Sequence, residues 1–128
     1  MEAFPLTSLG TVLIVAFTFY ASMGAGKMRG KVKAPAVTGD EEFEKAFRIH
    51  YNTIEQLVLF MPVLWLSAFY WGDQISGGLA GLWVVGRIIY ARAYQKDPST
   101  RTIGFVLTLL ATLIAFVGAC IPLVMLLL

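Results

Sequence analysis

Four stretches of the chain, about residues 4–23, 43 or 47 to 71, 75–94 and 103–128, are predominantly apolar and separated by short connections. A hydrocarbon core of about 30 Å is crossed by roughly 20 residues of helix. In lipid every backbone polar group must be satisfied within the segment, so an apolar run of that length spans as a helix. Composition agrees: of 128 residues, 58% are hydrophobic and only 14% charged, with mean hydropathy +0.74. A soluble domain of this size needs far more polar surface. The expectation is an all-α membrane protein, a four-transmembrane-helix bundle forming one domain over residues 1–128. Pro62 and Pro122 fall inside the second and fourth spans, where membrane helices accept them as kinks. The third span carries Gly77, Gly78, Gly81 and Gly86, as expected where helices approach closely.

The connections set the orientation. The first, residues 27–40, carries Lys27, Arg29, Lys31 and Lys33 and is broken by Pro35 and Gly39. The second is a tight turn, Trp71-Gly72-Asp73-Gln74, with one acid and no base. The third carries Lys96 and Arg101, with Arg92 just before it. The positive-inside rule places connections one and three in the cytoplasm and both termini outside. The same basic residues also suit attraction to anionic lipid headgroups. Trp65, Tyr70 and Trp71 fall near the opposite interface as an aromatic belt. No basic region precedes the first apolar run, which argues against a cleaved signal peptide. The single cysteine, Cys120, excludes an internal disulfide framework and a thiolate zinc cluster, and no HExxH pattern is present, so no metal is expected. Nucleic acid is not an expected partner.

The polar residues of the second span are ordered. Arg48, Asn52 and Glu55 are spaced +4 and +3, so at about 100° per residue they fall within roughly 60° of one another. Glu44 extends the line one turn back. An ionised residue at a membrane helix centre costs roughly 2.5–3.5 kcal/mol, so even near the helix end this stripe must face another helix or a polar cavity. It is either a packing ladder, with Arg48 paired to Glu44 or Glu55, or the wall of a polar pocket. His50 lies about 200° from Arg48. It reads as a packing or interfacial residue, or as one that reaches a neighbouring subunit.

Around the third connection Arg87, Tyr90 and Tyr94 again share a face, at the depth of the stripe on the second span. Asp97 suits the N-cap of the fourth helix and Pro98 its first position, which puts Arg101 near the first turn. That end of a helix attracts anions. Arg101 therefore holds either an anionic ligand or lipid phosphates. A small multidrug transporter is the poorer reading, because such proteins carry a key acid in the first span and residues 4–23 contain none.

The stretch FEKAFRIHYNTIEQLVLF, with its Arg-x-x-x-Asn-x-x-Glu pattern, resembles the second helix of the MAPEG proteins, the membrane-associated proteins in eicosanoid and glutathione metabolism. The stretch GRIIYARAYQKDPSTRTIGF resembles that family's third-helix Tyr-x-x-x-Tyr region and the Arg that opens its fourth helix. The resemblance implies a homotrimer of four-helix bundles with glutathione sites between neighbouring subunits. It implies that Arg48, Asn52 and Glu55 bind the peptide part of glutathione, with Tyr90 and Tyr94 lining the same site. Arg101 matches the Arg that stabilises the glutathione thiolate in the family's enzymes. Lys27 falls where some members reach a glutathione carboxylate, and His50 where a polar residue assists. Gln56 stands where the eicosanoid-synthase branch has Tyr, and Met28 where it carries a second Arg. These departures favour a general glutathione transferase or peroxidase, acting in detoxification, over leukotriene synthesis. The alternative is a non-catalytic member of the family that binds or presents a lipid.

The chemistry fits on independent grounds. Glutathione, the expected co-substrate, has two carboxylates, an ammonium and a thiol. Arg48 and Lys27 suit carboxylates, and Glu55 suits the ammonium. Only a thiolate is a good nucleophile, and Arg101 at a helix start favours one. The second substrate is expected to be lipophilic and delivered from the membrane lipid. The short loops and termini suggest a bacterial inner membrane, with the site on the cytoplasmic side.

Overall fold

The computed structural model describes residues 3–128. The first two residues of the expected domain lie outside them. Four long helices follow in order: α1 (Pro5–Lys27), α2 (Glu41–Trp71), α3 (Asp73–Lys96) and α4 (Thr102–Leu127). Short 3₁₀ turns at Arg29–Lys31 and Pro98–Thr100 lie in the first and third connections. Among the described residues there is no strand.

Three segments, Pro5–Lys31, Glu41–Trp71 and Pro98–Leu127, are long and apolar enough to cross a membrane. The 24-residue α3 is long enough, at about 36 Å. It is less apolar, because its glycines and Asp73, Gln74, Arg87 and Arg92 dilute it. Its place inside the bundle accounts for this: α2 and α3 each pack against all three other helices. The core lies where they meet. Phe60 stacks on Trp83 with ring centroids 5.7 Å apart, and Ile14, Leu64, Ala80, Ala111 and Ala115 close around them. The outward faces carry exposed Leu9, Val12, Phe19, Leu59, Ile103 and Leu113, as lipid-facing helices do.

Local chemistry explains the ends. Asp40 caps α2, its carboxylate accepting from the Phe43 N–H at 2.9 Å. At 31 residues α2 is about 46 Å long, so its charged first turns project beyond a bilayer core. Gly72, at φ +92°, allows the chain to reverse directly from α2 into α3. α1 has no side-chain cap of its own. Its free N–H groups at Leu6 and Thr7 are satisfied by Asp73 across the bundle, at 2.9 and 2.7 Å. The Thr7 hydroxyl joins this clasp to Asp73 and Ser76. In α4, Pro122 has no N–H and so frees the Gly118 carbonyl one turn earlier. The Trp71 indole N–H donates to that carbonyl at 2.6 Å. The indole thus satisfies the carbonyl that the proline leaves free.

The entry to α4 differs from the sequence expectation. Asp97 does cap, accepting from the Ser99 N–H at 3.0 Å, but what it caps is the 3₁₀ turn Pro98–Thr100. The Thr100 hydroxyl donates back to the Asp97 and Ala93 carbonyls, which holds the chain in that tighter turn. The regular helix starts at Thr102, and Arg101 occupies its N-cap position instead of its first turn.

Candidate active site

At the end of the bundle where α2 begins and α4 starts, seven side chains line one cleft of about 320 Å³: Arg48, Tyr51, Asn52, Glu55, Tyr90, Tyr94 and Arg101. The helical spacing brings this about. Arg48, Asn52 and Glu55 rise one above another on α2, and Tyr90 and Tyr94 do the same on α3, stacked with centroids 5.6 Å apart. Arg101 completes the cleft, its Nη1 donating to the Pro98 carbonyl at 3.0 Å. The three elements meet because Gly104 permits it. A Cβ there would lie 2.3 Å from the Tyr90 nitrogen, so α4 can approach α3 this closely only through glycine.

Tyr90 is buried, Asn52 and Tyr94 are partly covered, and Arg48, Tyr51, Glu55 and Arg101 are exposed in the cleft. Among the described residues the ion pairs are Lys31–Glu42 and Lys45–Glu41. Neither Arg48 nor Glu55 is paired, and the Glu44 carboxylate instead accepts from the Gly39 N–H. Within the chain the stripe lines the cleft, and the expected pairing of Arg48 with Glu44 or Glu55 is absent among the described residues.

Two of the residues singled out from sequence lie elsewhere in the chain. His50 faces α1, in a small cavity with Val15, Thr18, Phe19, Ser22 and Leu57, and its Nδ1 is buried without a partner. Lys27 borders a separate, largely apolar cavity of about 230 Å³ with Phe17, Tyr20, Met23 and Ile49 among its walls. The turn of α2 from Arg48 to His50 separates the two faces, so one chain does not join Lys27 and His50 to the cleft.

Sequence reasoning missed Tyr51 as a lining residue. It lies three residues after Arg48 and four before Glu55, a spacing that could have flagged it. Arg87 was placed on the Tyr90 face, but its burial was not foreseen. It is fully buried, and its Nη1 donates to Asn52 Oδ1 at 2.9 Å. No three His, Cys, Asp or Glu side chains among the described residues converge as metal ligands would.

The MAPEG family's sequence profile matches residues 7–121. The chain belongs to the MAPEG family. Among its relatives is an uncharacterized protein of Synechocystis sp., 40% identical over 89% of this chain and 82% of that protein. Microsomal glutathione S-transferase 2 of Homo sapiens is 32% identical over 79% of this chain and 69% of its own length. Leukotriene C4 synthase of Bos taurus is 25% identical, over 75% of this chain and 63% of its own length. For a MAPEG protein, the arrangement offers two guanidinium groups, one carboxylate, one amide and three phenols in a single cleft, with none of the charges in an ion pair among the described residues.

Proposed function

We propose that this MAPEG protein is a membrane glutathione transferase that activates the glutathione thiol for attack on a lipophilic electrophile. The observation that carries the reading is the cleft of unpaired charges, complementary to a ligand with two carboxylates and one ammonium. Relatives named as a glutathione S-transferase and a leukotriene C4 synthase support it.

Arg48 meets a glutathione carboxylate through charge-assisted hydrogen bonds, and Glu55 meets the ammonium. Asn52 contacts the peptide, with Tyr90 and Tyr94 as the lining. Arg101 holds the sulfur beside the free N–H groups of α4. An ordinary thiol has a pKa of about 8.5, so only about 3% is thiolate at pH 7. Lowering that pKa by one to two units raises the fraction to about 24–76%, through roughly 1.4–2.7 kcal/mol of thiolate stabilisation. The thiolate then forms a C–S bond to the electrophilic carbon, and the leaving group departs with its electron pair. With a hydroperoxide the sulfur takes the distal hydroxyl group and releases the alcohol. A second glutathione displaces that hydroxyl as water and forms the disulfide.

The single-domain chain acts as a homotrimer in this reading. Arg48, Glu55 and Arg101 are exposed charges near helix ends that border the bilayer, where cover from a neighbouring subunit is favourable. The neighbour's α1–α2 face then contributes Lys27 and His50. The basic first connection faces the cytoplasm, the termini lie outside, and the relative in Synechocystis supports a bacterial inner membrane. The second substrate partitions from the lipid.

The test is the ultraviolet difference spectrum of the detergent-purified protein with glutathione, read at the thiolate band near ~240 nm, beside an Arg101→Ala control. A band that the control loses is expected. Glutathione binding with no band would refute the catalytic step and leave a ligand-binding protein. No binding would refute the site.

A further inference from the structure

Arg87 sits one turn deeper in the bundle than Tyr90, at 0% exposure. Its guanidinium carbon lies 4.1 Å from the centroid of the Tyr90 ring and 6.0 Å from that of Trp83. Nη1 donates to Asn52 Oδ1, while Nε and Nη2 have no partner. A buried cation without a counter-charge is a poor way to fill space, and an aliphatic side chain of similar volume packs at lower cost. The contact with Asn52 has one chemical consequence. A guanidinium carries donors only, so the carboxamide must turn its oxygen to Arg87 and its NH₂ away. Among the described residues Nδ2 makes no hydrogen bond, and it belongs to a residue that lines the cleft. A cation on the oxygen also polarises the amide and strengthens the opposite N–H as a donor.

We infer that Arg87 is a positioning residue that locks the Asn52 carboxamide with its NH₂ in the cleft, so that position 52 recognises a hydrogen-bond acceptor of the ligand, a carboxylate or peptide carbonyl. By lying on the face of the Tyr90 ring it also fixes the ring against which Tyr94 stacks. This rests on the glutathione reading of the cleft.

The experiment is a double-mutant cycle on the detergent-purified full chain, with glutathione affinity from calorimetry and steady-state kinetics with a chloronitrobenzene electrophile. Arg87→Met and Asn52→Ala should each weaken glutathione binding roughly tenfold, and the double variant should be no weaker than either. The loss should fall on KM for glutathione, with kcat largely kept, and Arg87→Lys, which still donates to Oδ1, should restore most of it. Asn52→Asp keeps the contact with Arg87 but has no donor to offer. It should lose affinity like Asn52→Ala, and this arm reads the proposal even if Arg87→Met does not fold. Multiplying losses of about a hundredfold in the double variant would overturn the inference. So would wild-type affinity in Arg87→Met or in Asn52→Asp. If the unaltered protein binds no glutathione, the reading of the cleft falls and this inference falls with it. If it binds and the variants do not behave as stated, only the inference falls.

Discussion

Replacing Gly104 by Ala tests how the cleft is held together. A Cβ at this position lies 2.3 Å from the Tyr90 nitrogen, 2.5 Å from its Cα and 2.8 Å from the Gly86 carbonyl oxygen. All three are backbone atoms, so no side-chain rotation relieves the clash. To restore ordinary contact at about 3.4 Å, α3 and α4 must separate by roughly 1 Å at this level. Overpacking of this kind costs about 1–3 kcal/mol. The separation acts on the site as well, because Arg101 stands three residues before Gly104 while Tyr90 and Tyr94 stand on α3. A misplacement of about 1 Å between reacting groups can cost on the order of a hundredfold in rate. Gly104→Ala should therefore lower the thermal midpoint of the detergent-solubilised protein. It should also reduce kcat/KM toward glutathione about a hundredfold, with the thiolate band weakened in step. Gly81→Ala is the matched control, since nothing lies within 4 Å of its added Cβ. It should be neutral or stabilising by up to about 1 kcal/mol. Wild-type stability and an undiminished thiolate signal in Gly104→Ala would refute the claim that this close approach sets the cleft.

Trp71→Phe removes the donor to the Gly118 carbonyl and should destabilise by about 1–2 kcal/mol in reversible unfolding. In a Pro122→Ala background the helix supplies its own N–H to that carbonyl, so the same change should cost less. Asp73→Ala leaves the Leu6 and Thr7 N–H groups without an acceptor. It should lower the thermal midpoint while leaving glutathione affinity intact in the protein that remains folded, because the clasp sits at the end of the bundle away from the cleft. Saturating glutathione, at about a hundred times its dissociation constant, should add about 2.7 kcal/mol of apparent stability to the unaltered protein, and markedly less after Glu55→Ala.

What sequence could reveal depended on range. The helices were legible because apolar length and the punctuation at Pro35, Gly39, Gly72 and Pro98 are local signals. The stripe of Arg48, Asn52 and Glu55 was legible because a helix face follows from spacing alone. The Asp73 clasp was not, because its partners lie 66 and 67 residues away and the local sequence shows only an acid in a turn. The contact of Arg87 with Asn52 spans 35 residues and depends on how α2 and α3 are rotated about their axes. The Asp97 turn was half legible. The capping residue is named by its chemistry, whereas the choice between a 3₁₀ and an α start depends on where the Thr100 hydroxyl can reach. Lys27 and His50 illustrate the limit of spacing on one helix, since their side chains line cavities away from the cleft.

The distribution of charge argues for a site more strongly than any one contact does. A bundle selected only for stability would pair such ions or omit them, since an unpaired one is unfavourable even near a helix end, where the cost falls below the roughly 2.5–3.5 kcal/mol of the helix centre. This chain does pair ions where it is cheap to do so, at Lys31–Glu42 and Lys45–Glu41 in the first connection and the first turns of α2. At the cleft it leaves Arg48, Glu55 and Arg101 without an ion pair although they line a common wall, and it buries Arg87 beneath them with one hydrogen bond. Opposite charges that share a cavity yet do not meet are held apart by helix geometry. Arg48 and Glu55 stand two turns apart on α2, and Arg101 is tied to the Pro98 carbonyl. That separation prevents the cleft from neutralising itself. In the proposed reading it also spaces positive and negative groups for a ligand bearing the complementary set, so that the energy spent in keeping these ions apart would be recovered when a zwitterionic peptide enters between them.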